Sequence, residues 1–531
     1  MNEAAPFLEI SDLCVTRSGT IELDHLSLTL MAGDSVVVIG ETGCGKEALL
    51  RALGGFPDRN EAISGTIRFA GHEPRHASRR LRPPVRTAYL PNPRSHPFAP
   101  QASVLSQLSR VVARKLNAPL ASAREELRLA LERFAGAPTP ALLDCTPAQL
   151  DPVSMAWGLL AAAMAQTPEF VLADHAFADL GPIAVKALLH ALNEERKRLG
   201  FTLLYITGGL QPTARLDARI LVMRQGKIVE EGDAPRLMSG HAHAYTRTLY
   251  QAMPLLSLER PKRKTARGQP LLQVHGLMLR LPDPAEEHAS RETLSFELRR
   301  GASLALVGEE GSGRRRLMRA LLGLERAPAG RVVFDAVDLN ILSEAMVERL
   351  RRRVAFITGT DEALDPRMSL WDTVDEPLRA HLDLSRDLVS GYREGALKRV
   401  GLASHNGRRI AGTLSAFDKR RLQVARAIVG APLLTVVDEP LLGLDAFAQT
   451  IMREVLKDFR VTQGSAFLVI TSDFTVAQAL ADDAMVFKAG KIVERGPIVD
   501  ILREPKQPAT RELIEAVTLG APDLSQATAS V

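Results

Sequence analysis

The sequence repeats itself once over the length of a whole domain, and no other feature restricts its fold as much. GDSVVVIGETGCGK, starting at Gly33, is matched by GASLALVGEEGSGR, starting at Gly301, and ARILVMRQGKIVEEGD, from Ala218, by DAMVFKAGKIVERGP, from Asp483. Gly226 and Gly490 are 264 positions apart, as are Asp174 and Asp438, so the copies align there without net gaps. A chain of 531 residues written this way is expected to fold as two large units of one architecture. The copies place those units at residues 1–255 and 270–531, joined by a basic linker, 256–269, whose run RPKRKTAR reads as a solvated charge run.

Within each copy, short apolar runs alternate with helix-length stretches rich in Ala and Leu. Ser35 to Ile39, Phe170 to Ala173 and Thr202 to Ile206 read as buried strands of the first copy; Leu304 to Val307, Leu434 to Val437 and Phe467 to Ile470 take the same parts in the second. That alternation predicts an α/β fold with a parallel sheet wrapped by helices.

Composition excludes several classes. Apolar residues at 46% and charged residues at 24% permit a sizeable core and argue against disorder. The 67 basic residues face 62 acidic ones, a balance too even for a dedicated polyanion surface, so no nucleic-acid partner is expected. Cys14, Cys44 and Cys145 are too few and too far apart for a disulfide framework or a zinc cluster, and imply a reducing compartment. The longest suspicious apolar run, Gly158 to Ala165, stops at Gln166, well short of the roughly 18 residues of a membrane span. MNEAAPFLEI has neither the basic nor the apolar region of a signal peptide. A role at a membrane would therefore require docking through partners.

The chemistry is concentrated in two glycine-rich loops. Gly40-Glu41-Thr42-Gly43-Cys44-Gly45-Lys46-Glu47 follows the strand SVVVI and precedes a leucine-bearing helix, the setting of a phosphate loop. Its glycines let backbone N–H groups curl around phosphate oxygens, the helix N-terminus adds a positive dipole, and Lys46 reaches the terminal phosphates. Glu47 stands where a hydroxyl would hold Mg²⁺; a carboxylate can ligate the metal but brings negative charge beside the phosphates. The second loop, Gly308-Glu309-Glu310-Gly311-Ser312-Gly313-Arg314-Arg315, keeps the glycines but replaces the lysine with Arg314 and the hydroxyl with Arg315. A planar, fixed-direction guanidinium is a poor copy of an ammonium in a tight cradle, and losing one charge-assisted contact costs roughly 1.5–3 kcal/mol. Arg315 could stand in electrostatically for the metal.

The order of motifs in each half resembles the ATP-binding-cassette ATPases over essentially the whole chain. The resemblance implies two P-loop cassette domains, each a mostly parallel sheet core with an antiparallel and a helical subdomain, folded into an internal pseudo-dimer. It also implies ATP with Mg²⁺, sandwiched between one domain's phosphate loop and the other's signature motif. The signature is recognisable as Leu414-Ser415-Ala416-Phe417-Asp418, whereas 264 positions earlier the sequence reads Leu150-Asp151-Pro152-Val153-Ser154, where Asp151 would repel phosphate. Asp174 and Asp438 match the family's metal-serving aspartate, acting through water. Glu439 matches the catalytic base, and His175 stands in that place in the first half as a weak substitute. The family's switch histidine is replaced by Gly208 and Ser472, its coupling glutamine by Pro91 and Thr358, and the adenine-stacking aromatics by Arg17 and Leu281.

Two tails narrow the resemblance. HAHAYTRTLYQAMP, from His241, is similar to the segment that ends ATPases of the dipeptide, oligopeptide and nickel importers, and KQPATRELIEAV, from Lys506, is a weaker copy; LDPRMSLWDTVDEPLRAHL, from Leu364, also matches that group. The implied partners are two membrane permease subunits and a periplasmic solute-binding protein, with this chain peripheral on the cytoplasmic face of the inner membrane. A pseudo-ATPase clamp on a membrane partner is the alternative suggested by the altered motifs. A ribosome-associated tandem cassette protein is disfavoured by the short linker and by the importer-type tails.

Overall fold

The computed structural model describes residues 5–518 apart from 59, 78–79, 95–97, 239–241, 253–255, 260–267, 280–292, 326, 342–345, 347–349, 351, 361–362, 382–383 and 403–406. The basic run 260–267, His241 and Leu281 thus lie outside the described residues.

Both halves build the same main sheet. In the first, the strands lie side by side in the order Thr87–Leu90, Phe170–Asp174, Thr202–Ile206, Ser35–Ile39, Arg219–Arg224 and Lys227–Gly232, parallel except for the last. In the second the order is Val354–Thr358, Leu434–Asp438, Ala466–Thr471, Ser303–Gly308, Asp483–Lys488 and Lys491–Pro497, again with only the last antiparallel. The central strands are buried along their whole length, as continuous apolar runs predict for a sheet covered on both faces. A smaller antiparallel sheet accompanies each: Thr20–Leu30, Leu8–Arg17 and Glu61–Phe69 in the first half, and Leu294–Arg299, Pro270–Leu277, Arg331–Phe334 and Val337–Asp338 in the second.

Backbone strain repeats along with topology. Three pairs of non-glycine residues adopt the left-handed conformation at positions differing by 264: Thr167 and Ala431, His175 and Glu439, Gln225 and Ala489. Such residues are uncommon and each carries a conformational cost, so their recurrence marks loops that the fold over-determines in both copies.

One face of each main sheet packs on the small antiparallel sheet, burying Leu8, Phe69, Val36, Leu49 and Phe170 in the first half and Leu272, Phe334, Leu306 and Leu317 in the second. The other face packs on helices. Val104–Leu116, Leu120–Glu132 and Pro152–Ala165 form the helical part of the first half, and Leu370–His381, Arg386–Arg399 and Ala416–Val429 that of the second. Pro152–Ala165 contains the long apolar run of the sequence; every residue from Ser154 to Ala165 is buried, its apolar side chains within the core of the first half. Among the described residues, no helix is long and apolar enough to cross a membrane.

The halves touch. Tyr245 stacks at a tilt on Phe447, 5.9 Å between ring centres, the Ala252 carbonyl accepts from Thr450 Oγ1 (2.9 Å) and Arg453 Nη2 (3.0 Å), and Arg215 donates to the Ala516 carbonyl (2.6 Å). Leu256 and Leu258, at the start of the expected linker, pack against the second core.

Candidate functional site

Each glycine-rich loop connects a buried central strand to a helix. Lys46–Gly54 begins after Gly45, whose φ of 108° lies in the left-handed region and whose Cα faces the Glu22 carbonyl so closely that a Cβ would sit 2.4 Å from it. Arg314–Leu321 begins after Gly313 in the same way, with φ 97°. Both loops are closed by the same two backbone bonds, Cys44 N to the Glu41 carbonyl and Gly226 N to the Cys44 carbonyl in the first, Ser312 N to the Glu309 carbonyl and Gly490 N to the Ser312 carbonyl in the second.

Their charges are handled in opposite ways. Lys46 is 1% exposed, and Nζ donates to the carbonyls of Gly40 and Glu41 (2.8 Å each) and contacts Cys44 Sγ at 3.4 Å. None of these partners is a carboxylate, so a buried positive charge is held by dipoles alone, an arrangement that favours an incoming anion. In the second loop, Arg314 Nη2 donates to Glu439 Oε1 at 2.8 Å, Arg315 Nε to Asp438 Oδ2 at 3.2 Å, and Arg315 Nη1 to Glu310 Oε1 at 2.7 Å. Glu439 also accepts from Ser472 N (2.8 Å), Ser472 Oγ (2.9 Å) and Thr471 Oγ1 (2.9 Å). The sequence-based candidate base is thus saturated with hydrogen bonds and paired with a guanidinium. Burial pushes the Asp438 carboxyl up, against the opposing pull of Arg315.

His175 occupies the first half's equivalent of Glu439, down to a shared φ of 46°. Burial lowers its pKa, while Asp174 acts in the opposite sense and Lys46 adds to the lowering; Glu47 and Asp179 are further carboxylates close enough to raise it. A folded-state pKa below the unfolded value near 6.5 means that the unfolded chain binds the extra proton first. The stability from neutral His175 is therefore complete above that value and lost as pH falls below it. A thermal-unfolding series from about pH 7.5 to about pH 5.5 is expected to show a fall that His175→Gln flattens; equal slopes for both proteins would remove the assignment.

Asp174 lies beside this histidine and accepts a 2.6 Å hydrogen bond from the Tyr89 hydroxyl, whose own proton is retained by burial and then by that bond. Among the described residues, no group of three or more His, Cys, Asp or Glu is placed to hold a metal without other ligands. Asp174 and Glu47 still provide hard oxygens of the type Mg²⁺ takes together with phosphate oxygens. Asp438 and Glu439, already paired with arginines, do not fit a second magnesium.

The two signature regions are both helix N-termini. Ser415 Oγ caps Ala416–Val429 by accepting from Asp418 N at 3.1 Å, with Leu414 immediately before it, and the Arg421 guanidinium lies 4.0 Å over the Phe417 ring. Asp151 caps Pro152–Ala165, its Oδ1 accepting from Val153 N (3.0 Å) and Ser154 N (2.9 Å). The carboxylate therefore occupies the amides a phosphate would need, besides repelling it. Among the described hydrogen bonds, none joins Leu414, Ser415 or Ala416 to the first phosphate loop.

What reaches that loop from the other half is Asp445, which the sequence reading passed over. Its Oδ2 accepts from Thr42 N (2.9 Å) and Thr42 Oγ1 (2.6 Å), across 403 residues, and its Oδ1 caps Ala446–Gln463 through Ala448 N. Tyr245 also contributes, its hydroxyl accepting from Glu41 N at 3.1 Å, with its pKa pushed up to about 12 by burial. The 264-residue offset could have exposed Asp445, because it places Gly181 opposite: a carboxylate in one copy, no side chain in the other. At the second coupling position, Thr358 N donates to Gln423 Oε1 (2.8 Å), and Arg420 is bonded to the carbonyls of Thr358, Gly359 and Thr360. The signature helix thereby fixes that strand end.

With this geometry in view, comparison with known proteins decides the family. The ABC transporter model matches residues 23–178 and again 292–442, more than half of the chain. The chain belongs to the ABC transporter family. Between the two ABC matches, residues 229–276 match a model described as the C-terminal region of oligopeptide/dipeptide transporters. The Glutathione import ATP-binding protein GsiA of Escherichia coli O6:H1 is 28% identical over 94% of this chain and 86% of its own length, and that of Shigella sonnei gives the same figures. Among solved structures, cbiO1 from Clostridium perfringens, described as part of an ABC transporter complex, aligns at 22% identity and TM-score 0.41, covering 49% of this chain and 98% of its own. The tandem ABC organisation expected from the repeat is thus met in both halves.

Proposed function

We propose that this ABC chain is the ATP-binding subunit of an importer for peptide-class solutes, working through two permease subunits and a solute-binding protein, at the cytoplasmic face of the membrane. The oligopeptide/dipeptide match at residues 229–276, set between two ABC regions, carries the reading of solute class; the glutathione-import relatives, similar along nearly the whole chain, support it. Residues 1–255 and 270–531 act as the two halves of an internal pseudo-dimer.

ATP binds at the first loop, where the Lys46 ammonium has no competing carboxylate partner among its recorded contacts. The amides of Gly43 to Glu47 and the helix dipole would cradle the phosphates, Asp174 and Glu47 would hold Mg²⁺, and Ser415 with Ala416 would contact the nucleotide from the other half. Mg²⁺ supplies charge neutralisation of the phosphates when bound. His175, neutral and largely desolvated, is the one group at the position of the base, so hydrolysis is slow. A nucleotide-dependent clamp with no turnover is the second reading, favoured by the engagement of Glu439 with Arg314.

Loss of the chain from its host is expected to abolish uptake of labelled di- to tetrapeptides or of glutathione; undiminished uptake of all of them would remove the importer reading. Any Mg-ATP turnover by the purified chain is expected to fall at least about tenfold in Asp174→Asn. An unchanged rate would place the metal elsewhere.

A further inference from the structure

Several departures of the second half from the first converge on one small volume. Glu310 stands where the first loop has Thr42, Arg314 where it has Lys46, Arg315 where it has Glu47, and Gly181 where the other copy presents Asp445. Unrelated losses would leave buried charges unpaired. Instead, Arg315 pairs with Glu310 and Asp438, and Arg314 with Glu439. Ser472, in the place of the switch histidine, gives Glu439 two more hydrogen bonds. A Cβ on Gly181 would lie 3.0 Å from Ser472 Oγ, so the absence of a side chain there leaves Ser472 its room. Each substitution fits the others.

We propose that the second phosphate loop is self-liganded: the Arg314 and Arg315 guanidiniums hold the Asp438-Glu439 strand end in place of a nucleotide and its metal, the site stays closed, and the chain binds a single nucleotide at the Lys46 loop.

The count of charges supports this. Two guanidiniums face three carboxylates, Glu310, Asp438 and Glu439, so neither of the loop's own arginines is left over for an entering triphosphate. To gain Arg314 it must break an ion pair whose side chains are 4% and 9% exposed, leaving Glu439 buried without its cation. To bring Mg²⁺ it must evict Arg315 from Asp438 Oδ2. Among the described residues three buried atoms here remain without a protein partner, Arg314 Nη1, the Ser312 hydroxyl and Asp438 Oδ1; the cations themselves are each already paired with a carboxylate. At the first loop the cation is held differently, Lys46 donating to carbonyls and a thiol rather than to a carboxylate. The inference rests on the reading of that first loop as a nucleotide site only for its stoichiometry.

Two measurements on the whole chain test it. Titration with a fluorescent ATP analogue in Mg²⁺ is expected to saturate at one nucleotide per chain and to lose that binding in Lys46→Ala. Saturation at two, or one equivalent retained by Lys46→Ala, overturns the proposal. The second measurement uses no nucleotide. Glu439→Gln is expected to lower the Tm of the nucleotide-free protein by roughly 5 °C, because it unpairs a buried guanidinium. Separately, Arg314→Met, which removes the cation and keeps the bulk, is expected to unfold early for the complementary reason. In an ordinary empty site, removing one of two adjacent carboxylates relieves repulsion, so a Tm that is unchanged or raised in Glu439→Gln overturns self-liganding. Absence of any nucleotide binding to the wild-type chain would instead count against the first-loop reading, with the thermal result still deciding the ion-pair cluster.

Discussion

Asp445→Ala is expected to lower the melting temperature of the chain by about 5 to 10 °C and to weaken nucleotide binding at the first loop by about tenfold. The carboxylate is 8% exposed and makes three hydrogen bonds, two to Thr42 and one to Ala448 N. The Ala448 bond is a helix cap, worth about 1 kcal/mol. The Thr42 bonds are charge-assisted and contribute roughly 1.5–3 kcal/mol more, and they fix the first half of the loop against the other copy. Asp445→Asn keeps an acceptor for either Thr42 or Ala448 but gives up the charge, so it is expected to fall between alanine and wild type. Differential scanning calorimetry with and without ATP separates the two effects. A loss of stability without a loss of affinity would mean that Asp445 joins the halves but does not shape the loop.

How much of this could be read from the sequence depends on the distance over which each signal acts. The strands were legible because their signal is local: Ser35–Ile39 and Thr202–Ile206 stand at the expected residues, and Leu434 to Val437 gains only Asp438. The phosphate loops were legible because glycines with φ near 100° before a helix leave a spacing that few other structures need. Pairing was not legible. That Arg314 and Arg315 look damaged as nucleotide ligands follows from their shape, but that they find Glu439 and Asp438, 125 and 123 residues away, follows only from the parallel sheet, which brings the ends of Ser303–Gly308 and Leu434–Asp438 to the same edge with one strand, Ala466–Thr471, between them. Asp151 lies between these cases. Its charge was read as hostile to phosphate, yet an Asp-Pro pair heading an apolar run is also the signal of a capped helix start, and the cap is what the folded chain contains. Asp445 was missed because its partner Thr42 lies in the other copy, and no motif within one half links them.

Restoring the switch histidine shows how far the rest of the site has adapted to its absence. At Gly208 the backbone itself permits a side chain, since its φ is outside the left-handed region. The obstacle is Asp445: a Cβ at Gly208 would lie 2.9 Å from its Cβ and 3.4 Å from its Cα, closer than side chains pack. Gly208→His must therefore push the Asp445 loop away, costing the Thr42 bonds and the 3.4 Å bond from Ala446 N to the Gly208 carbonyl. A fall in Tm of about 5 to 10 °C is expected, as for Asp445→Ala, together with no gain in Mg-ATP turnover. Both changes cost the Thr42 bonds, so the double variant is expected to lose less than the sum of the two single losses, while still losing more than Asp445→Ala alone, because alanine at 445 keeps the Cβ and Cα that the new side chain meets. Fully additive losses would mean that Gly208→His leaves the Thr42 bonds to Asp445 intact. A Gly208→His protein as stable as wild type would mean that this loop yields freely, and that the close packing of the halves here is not what fixes Asp445 on Thr42.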